Sequence, residues 1–426
     1  MILSAWYLLV LAVPVLLFGE WLHRRWSILP RFNLPVPVVG GLAVAAIILG
    51  ANCTGFVTLS FATKVSTPAW TWIVTPDPEW SAHPAKPFNL PLLVGFFTCV
   101  GLGAPVSLLR TGGRALVILL GGATLLAVVQ NVVGVALAYA LHAPPLLGVI
   151  CGALTLVGGH GTALGFASRF EQAGFPAAAS VGAAAATFGL VAGGLLAGPL
   201  GEWLLRGRDG SDPDSPRPRL VVPAAETPAR FFCDLRALRE CGPAALGHIL
   251  LVAACIKTGA WASFALDRLG APLPAYMGAL LVGFALRAAH DAVGATWLSR
   301  EVVARIAAVL LPLFLAVTLS ALNLADLAVV AGPMVVILTI NTLVSLAFAA
   351  LVIWPLLGRD HEAGVMVAGF VGFGVGSTAT AVAAMDAMVR RRGPAPRAFA
   401  IVPPTGGFLI DLTNAPVITA FLNLLR

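Results

Sequence analysis

The chain has 426 residues, 59% of them hydrophobic and only 11% charged, with a mean hydropathy of +0.93. That balance excludes a soluble globular domain of this size and defines a polytopic membrane protein. The formal charge of +7 does not point to nucleic acid, because the basic residues sit in short loops between apolar segments, where they set orientation.

The first apolar run, residues 1–19, is followed by Glu20, His23, Arg24 and Arg25 and has neither a basic leader nor a small-x-small cleavage site. It is expected to remain as a first span. A stiff connector from Pro30 to Pro37 leads into a second, Gly/Ala-rich span over 40–50. Residues 51–89 hold Pro68, Pro76, Pro78, Pro84 and Pro87 with Trp70, Trp72 and Trp80, and read as an irregular loop whose tryptophans lie at the membrane interface. A third span follows over 90–106, then the turn from Arg110 to Arg114, then a fourth over 115–141 with Gln130 and Asn131 at its middle. The apolar segment 146–166 is interrupted by Gly158-Gly159-His160-Gly161-Thr162, and a fifth span over 177–205 is dense in the small residues that let helices approach closely. Residues 206–243, with seven arginines, form the long polar linker that separates two halves, 1–205 and 244–426.

The second half repeats the order. Apolar runs cover 244–266, 273–286, 303–322 and 327–357; a second interrupted segment, 362–388, contains Gly372-Phe373-Gly374-Val375-Gly376-Ser377-Thr378; a last run covers 398–425. Local echoes fall in the same sequence: Pro37 and Gly41 with Pro274 and Gly278, Asn131 with Asn341, Thr162-Ala163 with Thr378-Ala379. They predict an internal duplication. If each interrupted segment dips in and returns, each half crosses five times. With both termini outside, the arginines at 24–31, 110–114, the linker, 287–305, 359 and 390–397 then face the cytoplasm, leaving Lys64, Lys86, Arg169, Arg268 and Arg426 outside. The expected fold is therefore all-α: ten spans in two inverted repeats of five, each with a re-entrant glycine-rich segment.

Paired breaks of this kind point to a carrier's binding site, because freed backbone groups at membrane depth are tolerated only inside protein or beside a cavity. Helices restarting at Thr162 and Thr378 would offer N–H groups and a positive dipole end to a carboxylate. The expected substrate-binding residues are Gly158, Gly159, His160, Gly161, Thr162, Gly374, Gly376, Ser377, Thr378, Thr380 and Asn131. Hydroxyl, amide and carboxylate oxygens from Asp411, Asn414, Thr162, Thr378 and Asn341 form the expected Na⁺ set, oxygen being the ligand type a hard cation takes. Against these roles stand structural ones: Asp411 holding helix ends, His160 satisfying freed carbonyls, Asn131 and Asn341 acting as interhelical glue. Lys257 is expected to snorkel outward or pair locally. The six cysteines, Cys53, Cys99, Cys151, Cys233, Cys241 and Cys255, show no metal-ligand spacing. Neither HExxH nor GxSxG occurs, so an enzyme is not expected. A channel is disfavoured because a filter recurs around a symmetric axis, whereas two unlike breaks share one chain here.

The chain resembles the sodium/glutamate symporter family along nearly its whole length. The resemblance lies in Gly-Gly-His-Gly-Thr at 158–162, Gly-Phe-Gly-Val-Gly at 372–376, Ala-Thr-Phe-Gly-Leu-Val at 186–191, Leu-Arg-Thr-Gly-Gly-Arg at 109–114, Gln130-Asn131, and Ile410-Asp411 with Asn414. It implies Na⁺-coupled uptake of L-glutamate at a bacterial inner membrane, with no cofactor beyond the coupling ion, by a homodimer that moves its site in an elevator-like way. Two departures bear on the substrate. Ser377-Thr378-Ala379-Thr380-Ala381 stands where the family commonly has Ala-Thr-Pro-Thr-Ala, and Leu164-Gly165-Phe166 replaces a small-small-Trp ending. Another carboxylate, dicarboxylate or citrate-like, carried with Na⁺ or H⁺, is the alternative.

Overall fold

The computed structural model describes residues 2–26, 29, 34–53, 60–104, 113–206, 228–269 and 273–425. Most of the expected Arg110 turn and residues 207–227 of the linker lie outside these. In chain order the helices are α1 (Trp6–Arg25), α2 (Val36–Cys53), α3 (Pro68–Trp72), α4 (Asp77–Ala82), α5 (Leu90–Gly103), α6 (Gly113–Ala140), α7 (Pro145–Val149), α8 (Gly159–Gln172), α9 (Ala178–Leu204), α10 (Pro228–Glu240), α11 (Gly242–Arg268), α12 (Ala275–Ala292), α13 (Arg300–Ser320), α14 (Leu327–Phe348), α15 (His361–Val371), α16 (Thr378–Arg392), α17 (Pro396–Pro404) and α18 (Ile410–Leu424). Wider π turns follow α7, α14, α15 and α17. Four two-residue strands, β1 (Ile2–Leu3), β2 (Ser60–Phe61), β3 (Lys64–Val65) and β4 (Lys86–Pro87), complete the fold.

Where no water is available, a helix is the way an apolar chain satisfies its own N–H and C=O groups. Among the described residues eight helical stretches are long and apolar enough to cross a membrane: α1, α2, α6, α9, α11, α13, Val330–Leu356 and Pro396–Leu424. This is an all-α multi-pass membrane protein. Of the expected spans, the third is the short helix α5, 14 residues and about 21 Å long against a hydrocarbon core of about 30 Å. The seventh, α12, carries Arg287, His290 and Asp291 near its C-terminal end. These two pack against each other.

The chain divides into two compact units. The first comprises Met1–Ser27, Pro35–Val106 and Glu226–Ala325; the second, Ile28–Leu34, Ser107–Ala225 and Asp326–Arg426. In the first unit, the segment read as an irregular loop is built. β1 pairs in parallel with β2, and β3 pairs antiparallel with β4. The tryptophans are bound into this small structure. Trp70 Nε1 donates to the Phe88 carbonyl at 2.8 Å, Trp80 Nε1 to Thr71 Oγ1 at 3.1 Å, and Trp6 meets Phe88 edge-on. Lys257 on α11 finds its partners far away in sequence: Nζ donates to the Thr75 carbonyl at 2.8 Å and to Asp77 at 2.8 Å, and lies 3.9 Å from the Trp72 ring centre. Beyond α12, the connection to α13 is held by His248, which accepts from the Ser299 N–H, His290, which accepts from the Leu298 N–H, and Arg287, which donates to the Leu298 carbonyl.

Candidate functional site

Both glycine-dense segments are real breaks, and both lie in the second unit. In the first, α7 passes into a π turn whose Gly152 leaves helical geometry (φ −103°, ψ −136°). The chain then turns through residues 155–158 and restarts as α8 at Gly159, not at Thr162. Gly159 has φ +62°, a left-handed value that side chains with a Cβ rarely adopt, and this fixes the restart one turn earlier than the threonine alignment implies. In the second break α15 widens over Gly372–Gly376, Ser377 is extended, and α16 restarts at Thr378 as expected. Ala379, where the family pattern has proline, is the second residue of α16. A proline also fits there because first-turn N–H groups have no intrahelical partner, so the departure does not move the restart.

Polar residues from neighbouring spans hold the breaks open. The Ala153 peptide is gripped on both sides: its N–H donates to Asn131 Oδ1 at 2.9 Å, and its carbonyl accepts from Asn414 Nδ2 at 3.1 Å. Asn341 Nδ2 donates to the Cys151 carbonyl at 3.1 Å. The second break is held by Gln130, whose amide donates to the Gly374 carbonyl and to Ser345 Oγ, each at 2.9 Å. All four of these amide residues are fully buried. Each uses one end of its amide on the breaks, while Asn341 Oδ1, Asn414 Oδ1, Gln130 Oε1 and Asn131 Nδ2 have no hydrogen-bond partner among the described residues. Buried amide oxygens left unpaired cost about 1–3 kcal/mol each, and they are the donor type a hard cation uses.

The two restarts differ in what they offer. At α16, Ser377 and Thr380 form a reciprocal cap, and Thr380 Oγ1 also donates to the Gly372 carbonyl at 2.8 Å. These two hydroxyls, expected to face a ligand, are committed to the break itself. At α8 no side chain caps the N-terminus; the Gly158 and Gly159 N–H groups are bonded to the Ala153 and Thr155 carbonyls at 3.0 Å, which leaves the open positive end at the residues just after them. The breaks approach each other: a Cβ added at Gly159 would lie 3.7 Å from the Gly376 carbonyl oxygen. Gly189 on α9 packs so closely on the second break that a Cβ there would sit 2.3 Å from the Val375 oxygen.

Two of the expected ligands meet beside this junction, and a third packs against the segment that leads to one of them. Thr162 Oγ1 donates to Asp411 Oδ1 at 3.4 Å, and Thr378 lies against Gly407, four residues before Asp411. His160, buried, is paired with Thr187 Oγ1 at 3.0 Å. Because the Thr187 hydroxyl donates to the Ala183 carbonyl at 2.8 Å, it accepts from His160, which therefore carries its proton on Nε2. Gln130 and Thr187 belong to the site although neither was singled out as a ligand. The only sequence signals were an amide at mid-span and a hydroxyl inside the Ala-Thr-Phe-Gly-Leu-Val run.

Two broken helices facing each other in one compact unit, with a partly buried carboxylate beside them, define a membrane carrier rather than an enzyme. The sodium/glutamate symporter family model matches this chain over residues 1–75 and 71–394. The chain is 34% identical over 417 residues to the sodium/glutamate symporter of Escherichia coli strain K12, covering 98% of this chain and 96% of that one. It is 33% identical over 418 residues to the sodium/glutamate symporter of Haemophilus influenzae, with 97% and 96% covered. The chain belongs to the sodium/glutamate symporter family.

Proposed function

We propose that this protein carries L-glutamate together with Na⁺ across the bacterial inner membrane, with the two breaks as the meeting point of both. Family membership supports the substrate and the ion; the observation that carries the placement is Asp411 and Thr162 side by side at the open N-terminus of α8. In this reading the groups at His160, Gly161 and Thr162, with Gly374, Gly376 and Thr378, surround the substrate carboxylates, while Gly158, Gly159 and Ser377, whose N–H groups are bonded to backbone carbonyls, shape the turns behind them. Asn131 and Thr380 keep the breaks in shape. Na⁺ takes oxygens from Asp411, Thr162 and Thr378 and the unpaired amide oxygens of Asn341 and Asn414.

The inverted duplication with ten crossings, re-entrant breaks and both termini outside is part of the same reading. It is supported by the composition of the two units. Each half, 1–205 and 244–426, gives its first three apolar helices to one unit and its fourth, its broken segment and its fifth to the other. A site contained in one unit suits elevator-like transport by a homodimer, in which that unit moves as cargo. Liposomes holding the purified protein test the function: labelled L-glutamate should accumulate under an inward Na⁺ gradient and not under an equal choline gradient. Equal uptake in both would refute Na⁺ coupling.

A further inference from the structure

Outside the transport site, the first unit contains an apolar groove of about 560 Å³ between α5, α10, α11 and α13. Gly95, Leu235, Ile249, Ile256 and Leu310 line it, and Arg239 stands at the end next to the linker. Along α11 the lining runs from Gly242 to Ile256, a rise of about 21 Å, deeper than the roughly 15 Å of one leaflet's hydrocarbon. A methylene chain, whose carbons pack about 4 Å from their neighbours, suits so long and apolar a lining.

The mouth of the groove carries its own charge signal. α10 is amphipathic, with Phe231 buried and Phe232 and Leu235 exposed, the pattern of a helix lying in the interface. Arg236 is paired with Glu240 at 2.9 Å, but Arg239 is exposed and makes no ion pair among the described residues. We propose that the groove is a lipid site: it holds one acyl chain of an anionic glycerophospholipid from the linker-side leaflet, whose phosphate binds Arg239. Basic pockets at helix ends recognise such headgroups, and the bulk apolar phase outside cannot place a phosphate at one arginine.

Native mass spectrometry of the full chain, titrated with phosphatidylglycerol or with phosphatidylcholine of the same acyl chains, tests this. The first phosphatidylglycerol should be held about fivefold more tightly than phosphatidylcholine, the factor given by roughly 1 kcal/mol per arginine at an anionic headgroup. Arg239→Ala should remove that preference and Arg239→Lys should keep it, while inorganic phosphate should not displace the lipid. Ile249→Trp, which fills the groove and leaves Arg239 in place, should weaken both lipids. Equal binding of the two lipids by the unaltered protein, a preference that survives Arg239→Ala, or lipid retention unchanged by Ile249→Trp would each overturn the proposal. So would a second copy of the chain cross-linked through Ile249→Cys in lipid-replete membranes.

Discussion

Thr380 ties the second break at more than one point. Its hydroxyl donates to the Gly372 carbonyl, and it closes the reciprocal cap with Ser377. Thr380→Ala is expected to cost about 1 kcal/mol for the lost cap, and Thr380→Ser to cost less; thermal unfolding in detergent compares the two. Gln130→Leu is the sharper test, since it strips the Gly374 carbonyl and Ser345 of a donor inside a fully buried setting. That change is expected to lower stability by about 1–3 kcal/mol and to impair transport together with it. A Gln130→Leu protein with unchanged melting would show that the second break needs no support from α6. The sequence could place Gln130 at mid-span, but its partner lies 244 residues away. No local pattern of spacing encodes such a pairing. The same is true of His160 and Thr187, 27 residues apart and on different helices.

At the scale of elements, the breaks were legible because runs of glycine and small polar residues stand out inside apolar segments. Their geometry was not. The start of α8 depends on one left-handed glycine, Gly159, and the threonine two breaks share in alignment is a turn further on in α8 than in α16. The proline-rich segment before α5 was misjudged for a related reason. Prolines and tryptophans mark a loop, yet β1 from the start of the chain pairs with β2, and β3 pairs with β4 across the segment itself. That small structure is tied to α11 by Lys257. The hydrogen bond from Lys257 to Asp77 holds the Asp77 carboxyl below the usual carboxylate range, with the Trp72 indole N–H adding to it. Because the folded-state pKa is the lower one, the tie contributes fully above the unfolded carboxylate's pKa, near 4, and is lost as pH falls through the depressed folded value. The stability difference between the unaltered protein and Asp77→Asn should therefore be present at neutral pH and vanish in strong acid. A difference that grows on acidification would contradict the assignment.

For the whole molecule, orientation rests on arginine placement, and the chain carries its own reporters. Cys53 at the end of α2 and Cys233 in α10 are both exposed, and the ten-crossing arrangement puts them on opposite faces. In single-cysteine variants a membrane-impermeant maleimide should label Cys53 from outside intact cells and Cys233 only in inverted vesicles; labelling of both from one side would refute that arrangement. In the function proposed above, Na⁺ and glutamate meet at the junction of the two breaks, and Asp411 links them. Two ligands bound at one site couple through a shared free energy, typically about 1–3 kcal/mol or roughly 5–150-fold in affinity. The most direct measurement is the affinity of the purified protein for L-glutamate with Na⁺ and with choline, for the unaltered chain and for Asp411→Asn. Na⁺ should strongly enhance the affinity, and Asp411→Asn should abolish that enhancement while the protein stays folded; an Asp411→Asn protein that keeps the full enhancement would show that Asp411 does not link the two.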